Sequence, residues 1–75
     1  IETVEDGVIV KIGSVEHPMV ENHYIKFIEV LTDSQVLRAE LNPGQKPEAF
    51  FQVKPEKVLA AREYCNLHDL WQKNM

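Results

Sequence analysis

Turn-forming residues recur at short intervals along this 75-residue chain, and their spacing constrains the fold more than any other feature. The turn signals are Asp6-Gly7, Thr32-Asp33-Ser34, Asn42-Pro43-Gly44 and Lys54-Pro55-Glu56. Between them lie short runs rich in β-branched and aromatic residues, at positions 8–12, 24–31, 36–41 and 49–53. Short strands separated by frequent turns are typical of sandwiches and barrels, so the sequence predicts a single all-β domain over residues 1–75.

The segment 58–64 does not fit this pattern. Its sequence, Val-Leu-Ala-Ala-Arg-Glu-Tyr, follows a Pro-Glu-Lys start and favours an α-helix by intrinsic propensity. Taken by itself, the segment is predicted to be a short helix.

The small size of the domain predicts a need for extra stabilisation. A chain of this length buries only roughly 60% of its unfolded surface. With Cys65 as its single cysteine it cannot form an internal disulfide, so a bound metal or an oligomer contact is expected to supply the support. A lone cysteine also agrees with a reducing, cytoplasmic compartment.

Charge and hydropathy argue against two classes of partner. The net charge is −4, and the basic residues neither cluster nor alternate with aromatic residues as a phosphate-binding face requires. No apolar run approaches the roughly 18 residues that a membrane-spanning helix needs. We therefore expect neither a nucleic-acid partner nor a membrane.

The only cysteine and all three histidines form two sequence groups, His17 with His23 and Cys65 with His68. Each has an ordinary structural interpretation by itself: a surface histidine before Pro18, a histidine that opens a strand, a small buried thiol. Together they stand at boundaries between strands and turns, where ligand loops on a β-scaffold are found. Thiolate and imidazole suit zinc, copper(I) or iron, so His17, His23, Cys65 and His68 are predicted metal ligands.

The residues alone leave the type of metal site open. One thiolate and three imidazoles would fill a tetrahedral zinc sphere and make a structural zinc module. A metal that takes five or six ligands, such as iron, would instead allow catalysis. A third hypothesis is an interaction module whose four donors no longer bind metal.

Several segments, in order, resemble one known family. They are Gly13-Ser14-Val15-Glu16-His17-Pro18-Met19, His23-Tyr24-Ile25, Leu41-Asn42-Pro43-Gly44, Pro47-Glu48-Ala49-Phe50-Phe51, and Ala61-Arg62-Glu63-Tyr64-Cys65-Asn66-Leu67-His68 with Trp71. They closely resemble the iron-binding domain of desulfoferrodoxin and neelaredoxin, the superoxide reductases. The His-Pro-Met and Tyr-Cys-Asn-Leu-His segments carry most of the specificity.

The resemblance implies a fold and a metal centre. The fold would be a seven-stranded immunoglobulin-like β-sandwich, with a strand rather than a helix at 58–64. The centre would be one non-haem iron per chain with four equatorial imidazoles and an axial thiolate. His17, His23 and His68 would be equatorial ligands and Cys65 the axial ligand.

The resemblance also implies an activity and its partners. The activity is the one-electron reduction of superoxide to hydrogen peroxide. A small redox protein such as rubredoxin would supply the electron, and a homo-oligomer is expected. Main-chain N–H groups after Cys65, such as those of Leu67 and His68, would tune the thiolate. Phe50, Phe51 and Trp71 are expected in the core rather than on an electron path.

Two departures from the family pattern bear on activity. The fourth imidazole comes in the family from an upstream Glu-Lys-His-x-Pro segment, which would end just before Ile1, so we expect this sequence to be a fragment that lacks that segment. Asp69 stands where the family usually has glycine. Aspartate tolerates a left-handed turn, but its charge would repel an anionic substrate.

Overall fold

The computed structural model describes residues 1–13 and 17–74. Residues 14–16, which belong to the segment before His17, and Met75 lie outside the described part. The described residues form seven strands and one short 3₁₀ helix. These are β1 (Glu2–Val4), β2 (Gly7–Lys11), β3 (Ile25–Leu31), β4 (Val36–Glu40), β5 (Glu48–Phe51), the 3₁₀ helix (Pro55–Lys57), β6 (Ala60–Cys65) and β7 (Asp69–Asn74).

The strands form two antiparallel sheets. One sheet has the order β1-β2-β5 and the other the order β4-β3-β6-β7. The predicted all-β, immunoglobulin-like sandwich is confirmed. The four strands predicted from hydrophobic runs are all present, with ends that differ by at most two residues from the predicted ends.

The helix predicted from propensity at 58–64 is wrong. Pro55 begins only a single 3₁₀ turn, and the chain then enters β6, which pairs with both β3 and β7. On one face of β6, Ala61 and Cys65 point into the core. Pairing on both edges and burial of this face outweigh the few tenths of a kcal/mol per residue by which alanine, leucine, arginine and glutamate favour a helix. The strand implied by the family resemblance is the correct assignment.

The core lies between the two sheets. Its buried apolar residues come from both of them and from the segment before β6: Val8, Val10, Ile25, Ile28, Val30, Phe51, Val58, Ala61 and Cys65. Of the three aromatic residues expected in the core, only Phe51 is there, because Phe50 and Trp71 are 52% and 63% exposed. Phe50 and Phe51 are adjacent on β5, so the alternation of a strand sends one of them outward.

A buried charge joins the central strands of the larger sheet. Glu29 of β3 is 5% exposed, and its carboxylate accepts hydrogen bonds from Arg38 of β4 and Arg62 of β6 at 2.9 and 3.0 Å. All three residues occupy the same cross-strand row of the register. This row ties β4, β3 and β6 together on the face opposite the core. No helix in the described part of the chain has the length and apolar character needed to cross a membrane.

Candidate metal centre

The fold brings the four predicted ligands together at one end of the sandwich. One potential ligand atom from each of His17, His23, Cys65 and His68 lies within 4.8 Å of the others. His17 lies in the connection between β2 and β3, and His23 lies just before β3. Cys65 ends β6, and His68 lies in the tight turn that leads to β7. Antiparallel pairing places the start of β3 beside the end of β6, so residues distant in sequence meet there.

The orientation of the His17 ring is set by the backbone carbonyl of the next residue. Nδ1 of His17 lies 2.7 Å from the carbonyl oxygen of Pro18. A carbonyl can only accept a hydrogen bond, so Nδ1 carries the proton and donates. In the neutral ring, Nε2 is then the nitrogen with a free lone pair. This is the arrangement in which a histidine binds a metal through one nitrogen while the other is held by a backbone carbonyl.

His23 is fixed by a tight turn and has a buried ring nitrogen. The main-chain groups of Val20 and His23 exchange hydrogen bonds of 3.1 and 3.0 Å. Nε2 of His23 is buried and has no hydrogen-bond partner among the residues that the structure describes. Desolvation, followed by the nearby charges of His68 and His17, lowers the pKa of His23. The neutral imidazole that a metal requires is therefore favoured at this position.

Cys65 and His68 are held by the β6–β7 hairpin. Cys65 is completely buried and pairs with Asp69 across the hairpin. Asp69 has a φ of 65°, the left-handed conformation expected for it from the sequence. The indole Nε1 of Trp71 donates a 3.1 Å hydrogen bond to the carbonyl oxygen of His68. The His68 side is exposed, so the cluster is buried at the thiol and open to solvent at this imidazole.

The three imidazoles are nearly perpendicular to one another. The ring planes of His17 and His23 meet at 83°, those of His17 and His68 at 85°, and those of His23 and His68 at 86°. The ring centroids lie 4.9 to 6.0 Å apart. Rings in this arrangement can approach a common point without stacking on one another.

Glu63 is a residue of this region that the sequence did not single out. It lies two residues before Cys65 on β6, on the same face of the strand. Desolvation raises the pKa of its carboxyl group, against a smaller opposite effect of His17 and His68. Its Oε2 is buried, without a hydrogen-bond partner in residues 1–13 and 17–74. Strand alternation explains why Glu63 lies on the same face as Cys65. In the sequence, only the family resemblance indicated that this segment is a strand.

An open cavity of about 380 Å³ adjoins Glu63. It lies between β2 and the β6–β7 hairpin, and Val10, Ile12, Ala61, Glu63 and Trp71 contribute to its lining. Trp71 pairs with Glu63 across the hairpin and lines this open cavity, and it is 63% exposed.

Asn66 is a second residue whose role the sequence did not indicate. It forms hydrogen bonds to the segment on both sides of His23. Its position directly after Cys65 was the only available signal. The main-chain N–H groups of Leu67 and His68, expected to tune the thiolate, remain a prediction.

The donor set fits a transition metal. One thiol and three imidazoles offer no hard oxygen ligand, which argues against calcium and magnesium. Nε2 of His23, buried without a partner among residues 1–13 and 17–74, and the ring nitrogen of His17 that does not bond to Pro18 are the atoms that a metal would need. The residues present therefore fit iron, zinc or copper(I).

Fold and site together define a class: small β-sandwich domains with a candidate mononuclear centre of histidine and cysteine. The sequence model of the Desulfoferrodoxin family, described as desulfoferrodoxin, matches residues 1–74. The chain belongs to the desulfoferrodoxin family.

Individual relatives agree with this assignment. A desulfoferrodoxin of Syntrophotalea carbinolica is 53% identical over 73 residues, which is 95% of this chain and 56% of that protein. The solved superoxide reductase of Treponema pallidum superimposes with a TM-score of 0.85 at 37% identity, over 99% of this chain and 61% of the other. A solved superoxide reductase (1Fe-SOR) of Giardia intestinalis gives a TM-score of 0.77 at 30% identity, over 99% and 90%. The chain thus spans only 56% of the Syntrophotalea relative.

Proposed function

We propose that this chain is a superoxide reductase domain, in which His17, His23, His68 and Cys65 hold one iron. The observation that supports this most directly is the convergence of the four donor atoms within 4.8 Å. Relatives and structural neighbours named superoxide reductase support the activity. Reduction of superoxide to hydrogen peroxide takes up one electron and two protons, and ferrous iron held by these residues would supply the electron.

The residues of the chain have separate tasks in this proposal. The buried Cys65 supplies a thiolate that is shielded from water and from oxidants. His17 and His23 supply imidazoles: the bond to Pro18 orients the first, and the lowered pKa of the second favours its neutral form. The exposed His68 leaves the cluster accessible from solvent on one side, where a small anion can approach.

The structural zinc site, the alternative left open by the residues, is not favoured. Its four donors are the same, so geometry alone does not separate the two metals. The family membership supports iron, because the relatives and neighbours are named for reduction of superoxide and one of them for a single iron.

The proposal includes a partner and a compartment. A small electron donor such as rubredoxin would return the iron to the ferrous state after each turnover. We propose a homo-oligomer, which would compensate for the limited core of so small a domain. We also propose the cytoplasm, because its reducing conditions would keep Cys65 free for the metal.

The metal is tested by native mass spectrometry of protein prepared without oxygen. One iron per chain, with a thiolate-to-ferric charge-transfer band on oxidation, is the expected result. Cys65→Ala should lose the band, whereas Asn42→Ala, an asparagine at an exposed turn, should keep it. Zinc alone, or an iron form without that band, would contradict the proposal.

The activity is tested with the same protein. Superoxide should be consumed with formation of hydrogen peroxide and without release of dioxygen, which separates reduction from dismutation. Release of dioxygen in equal measure would contradict a reductase.

A further inference from the structure

The ladder between β3 and β6 stops short of the candidate metal centre. Ile25 and Cys65 form the last pair of this ladder, after a register shift between Ile25 and Phe27. His23 lies before that pair on one chain segment, and His68 lies after it on the other. Regular strand pairing therefore does not hold the two ligand segments together beyond Cys65.

Asn66 connects the two segments at this point. Its side-chain Oδ1 accepts a 2.9 Å hydrogen bond from the main-chain N–H of Tyr24. Its Nδ2 donates a 3.1 Å hydrogen bond to the main-chain carbonyl of Asn22. Its own main-chain N–H donates a 3.2 Å hydrogen bond to the carbonyl oxygen of Tyr24. These three bonds enclose His23, because Asn22 and Tyr24 are its two neighbours.

The geometry points to Asn66 as a positioning residue for the metal centre: it holds His23 in register with Cys65 and His68. This inference rests on the proposed metal site and adds to it a residue that does not itself bind the metal. Residues that orient metal ligands in this way typically change metal affinity by roughly 10-fold to 100-fold when they are removed.

The position requires an asparagine. Both ends of the amide are used, one as acceptor and one as donor, so the orientation of the amide follows from its partners. Aspartate would keep the acceptor for Tyr24 but would place an oxygen against the carbonyl of Asn22. Alanine would lose both side-chain bonds and keep only the main-chain bond.

The side chain also lies close to the thiol. Oδ1 of Asn66 is 4.0 Å from Sγ of Cys65. A change at Asn66 therefore alters both the position of His23 and the surroundings of the sulfur. The spectrum of a thiolate–metal bond reports on both.

The test uses Co²⁺ as the probe, because its thiolate charge-transfer and d–d bands report ligand number and geometry without turnover. Asn66→Ala should bind Co²⁺ roughly 10-fold to 100-fold more weakly than wild type and should shift the thiolate-to-cobalt band. Asn66→Asp keeps one of the two side-chain bonds, so its Co²⁺ affinity and band position should lie between those of wild type and Asn66→Ala. Hydrogen exchange at the Tyr24 amide should become faster in Asn66→Ala.

Two control variants separate positioning from general stability. Asn42→Ala removes an asparagine side chain at an exposed turn and should leave the Co²⁺ affinity and spectrum unchanged. Ile28→Val removes one methylene from the core, lowers the unfolding temperature, and should also leave the Co²⁺ spectrum unchanged. If Asn66→Ala does not fold, the Co²⁺ affinity and spectrum of Asn66→Asp are compared with those of Ile28→Val, and a change in Asn66→Asp alone supports positioning.

The outcomes distinguish the inference from the proposed function. Wild-type protein that binds neither Co²⁺ nor iron would overturn the metal site and the inference with it. Wild-type binding together with unchanged affinity and spectrum in the Asn66 variants would overturn the positioning role alone. An equal spectral change in Ile28→Val would also overturn it, since the effect would then be one of stability.

Discussion

His23 and His68 meet edge to face, with ring centroids 4.9 Å apart and ring planes at 86°. His23 reaches this position from the β2–β3 connection and His68 from the β6–β7 hairpin, and His17 completes the group at 5.0 Å from His23. Three imidazoles this close repel one another when they are protonated. This repulsion adds to desolvation in lowering the pKa of His23, so acid should disturb the metal-free site.

Acid should destabilise the metal-free domain through His23. Its pKa is lowered in the folded state, below the ordinary value of 6.5, so the unfolded chain binds more protons in that range. The stability contribution is complete above pH 6.5 and is lost as the pH falls through the lowered pKa. Urea unfolding of the metal-free protein at pH 7 and pH 5 should show this loss, and His23→Gln should reduce it. Equal losses in both proteins would contradict the prediction.

Glu63 should have the opposite pH dependence. Its pKa is raised in the folded state, mainly by desolvation, so the folded protein binds the extra proton. Its contribution is complete below the ordinary glutamate pKa and is lost as the pH rises through the raised value. Glu63→Gln should therefore be more stable than wild type at pH 7, with little difference at pH 4. Glu5→Gln, at an exposed position, is the control, and the same gain there would contradict the prediction.

Removal of the Glu29 carboxylate should weaken the larger sheet. Glu29→Ala leaves Arg38 and Arg62 without their shared partner, but these side chains are 47% and 27% exposed, so water replaces part of the interaction. We expect a loss of about 2 kcal/mol in the free energy of unfolding. Denaturant unfolding measures it.

Glu40→Gln provides the comparison for Glu29. Glu40 also faces Arg38, at 3.9 Å, but its side chain is 78% exposed. Glu40→Gln should lower the free energy of unfolding by less than about 0.5 kcal/mol. An equal loss in the free energy of unfolding for Glu29→Ala and Glu40→Gln would show that burial of Glu29 does not strengthen its interaction with the arginines.

The charge of Asp69 should slow the approach of superoxide, if the proposed function holds. Asp69 directly follows His68, on the open side of the centre. Asp69→Asn removes the charge and tolerates the same left-handed φ. The rate of reaction with superoxide should rise a few-fold at low ionic strength, and the gain should disappear in high salt.

Asp33→Asn tests whether that gain is local. Asp33 lies in the turn between β3 and β4, at the far end of β3 from the metal centre. The same change in net charge there should leave the rate nearly unchanged. A gain equal to that of Asp69→Asn would indicate a net-charge effect.

Two glycines should respond differently to alanine. A Cβ at Gly7 would collide with the carbonyl oxygen of Phe51, whereas a Cβ at Gly44 would meet no atom within 4 Å. Gly44 has a φ of 91°, so its substitution costs backbone strain alone. We expect a loss of about 3 kcal/mol for Gly7→Ala and about 1 kcal/mol for Gly44→Ala. Thermal unfolding measures both, and the reverse order would contradict the assignment.

Local patterns were sufficient for much of the fold. The runs at 8–12, 24–31, 36–41 and 49–53 predicted β2 to β5, because alternating and β-branched residues between turn signals are typical of strands. The segment of β6 misled the same reasoning, since its alanines and charged residues favour a helix in isolation. Trp71 misled it too, because a large aromatic residue is normally expected in a core.

Part of the chemistry of the site could also be predicted from the sequence. His17, His23, Cys65 and His68 were predicted as ligands from residue type and from the family resemblance, and the structure brings these four together. Their role as ligands stays a prediction until a metal is measured. Glu63 and Asn66 were not predicted, because a carboxylate or an amide has no ligand signature of its own.

The sequence by itself determined which segments extend, where the chain turns, and which side chains can bind a soft metal, since these follow from local sterics and donor chemistry. Only the tertiary structure overrode the helical propensity of 58–64 and placed residues 60–65 in strand β6. It also decided that Asn66 reaches the neighbours of His23 and that Glu63 is partly buried near two imidazoles. These features depend on pairing between residues far apart in the chain. Such pairing is determined by the packing of the whole core, so the residue type at any one position does not predict it.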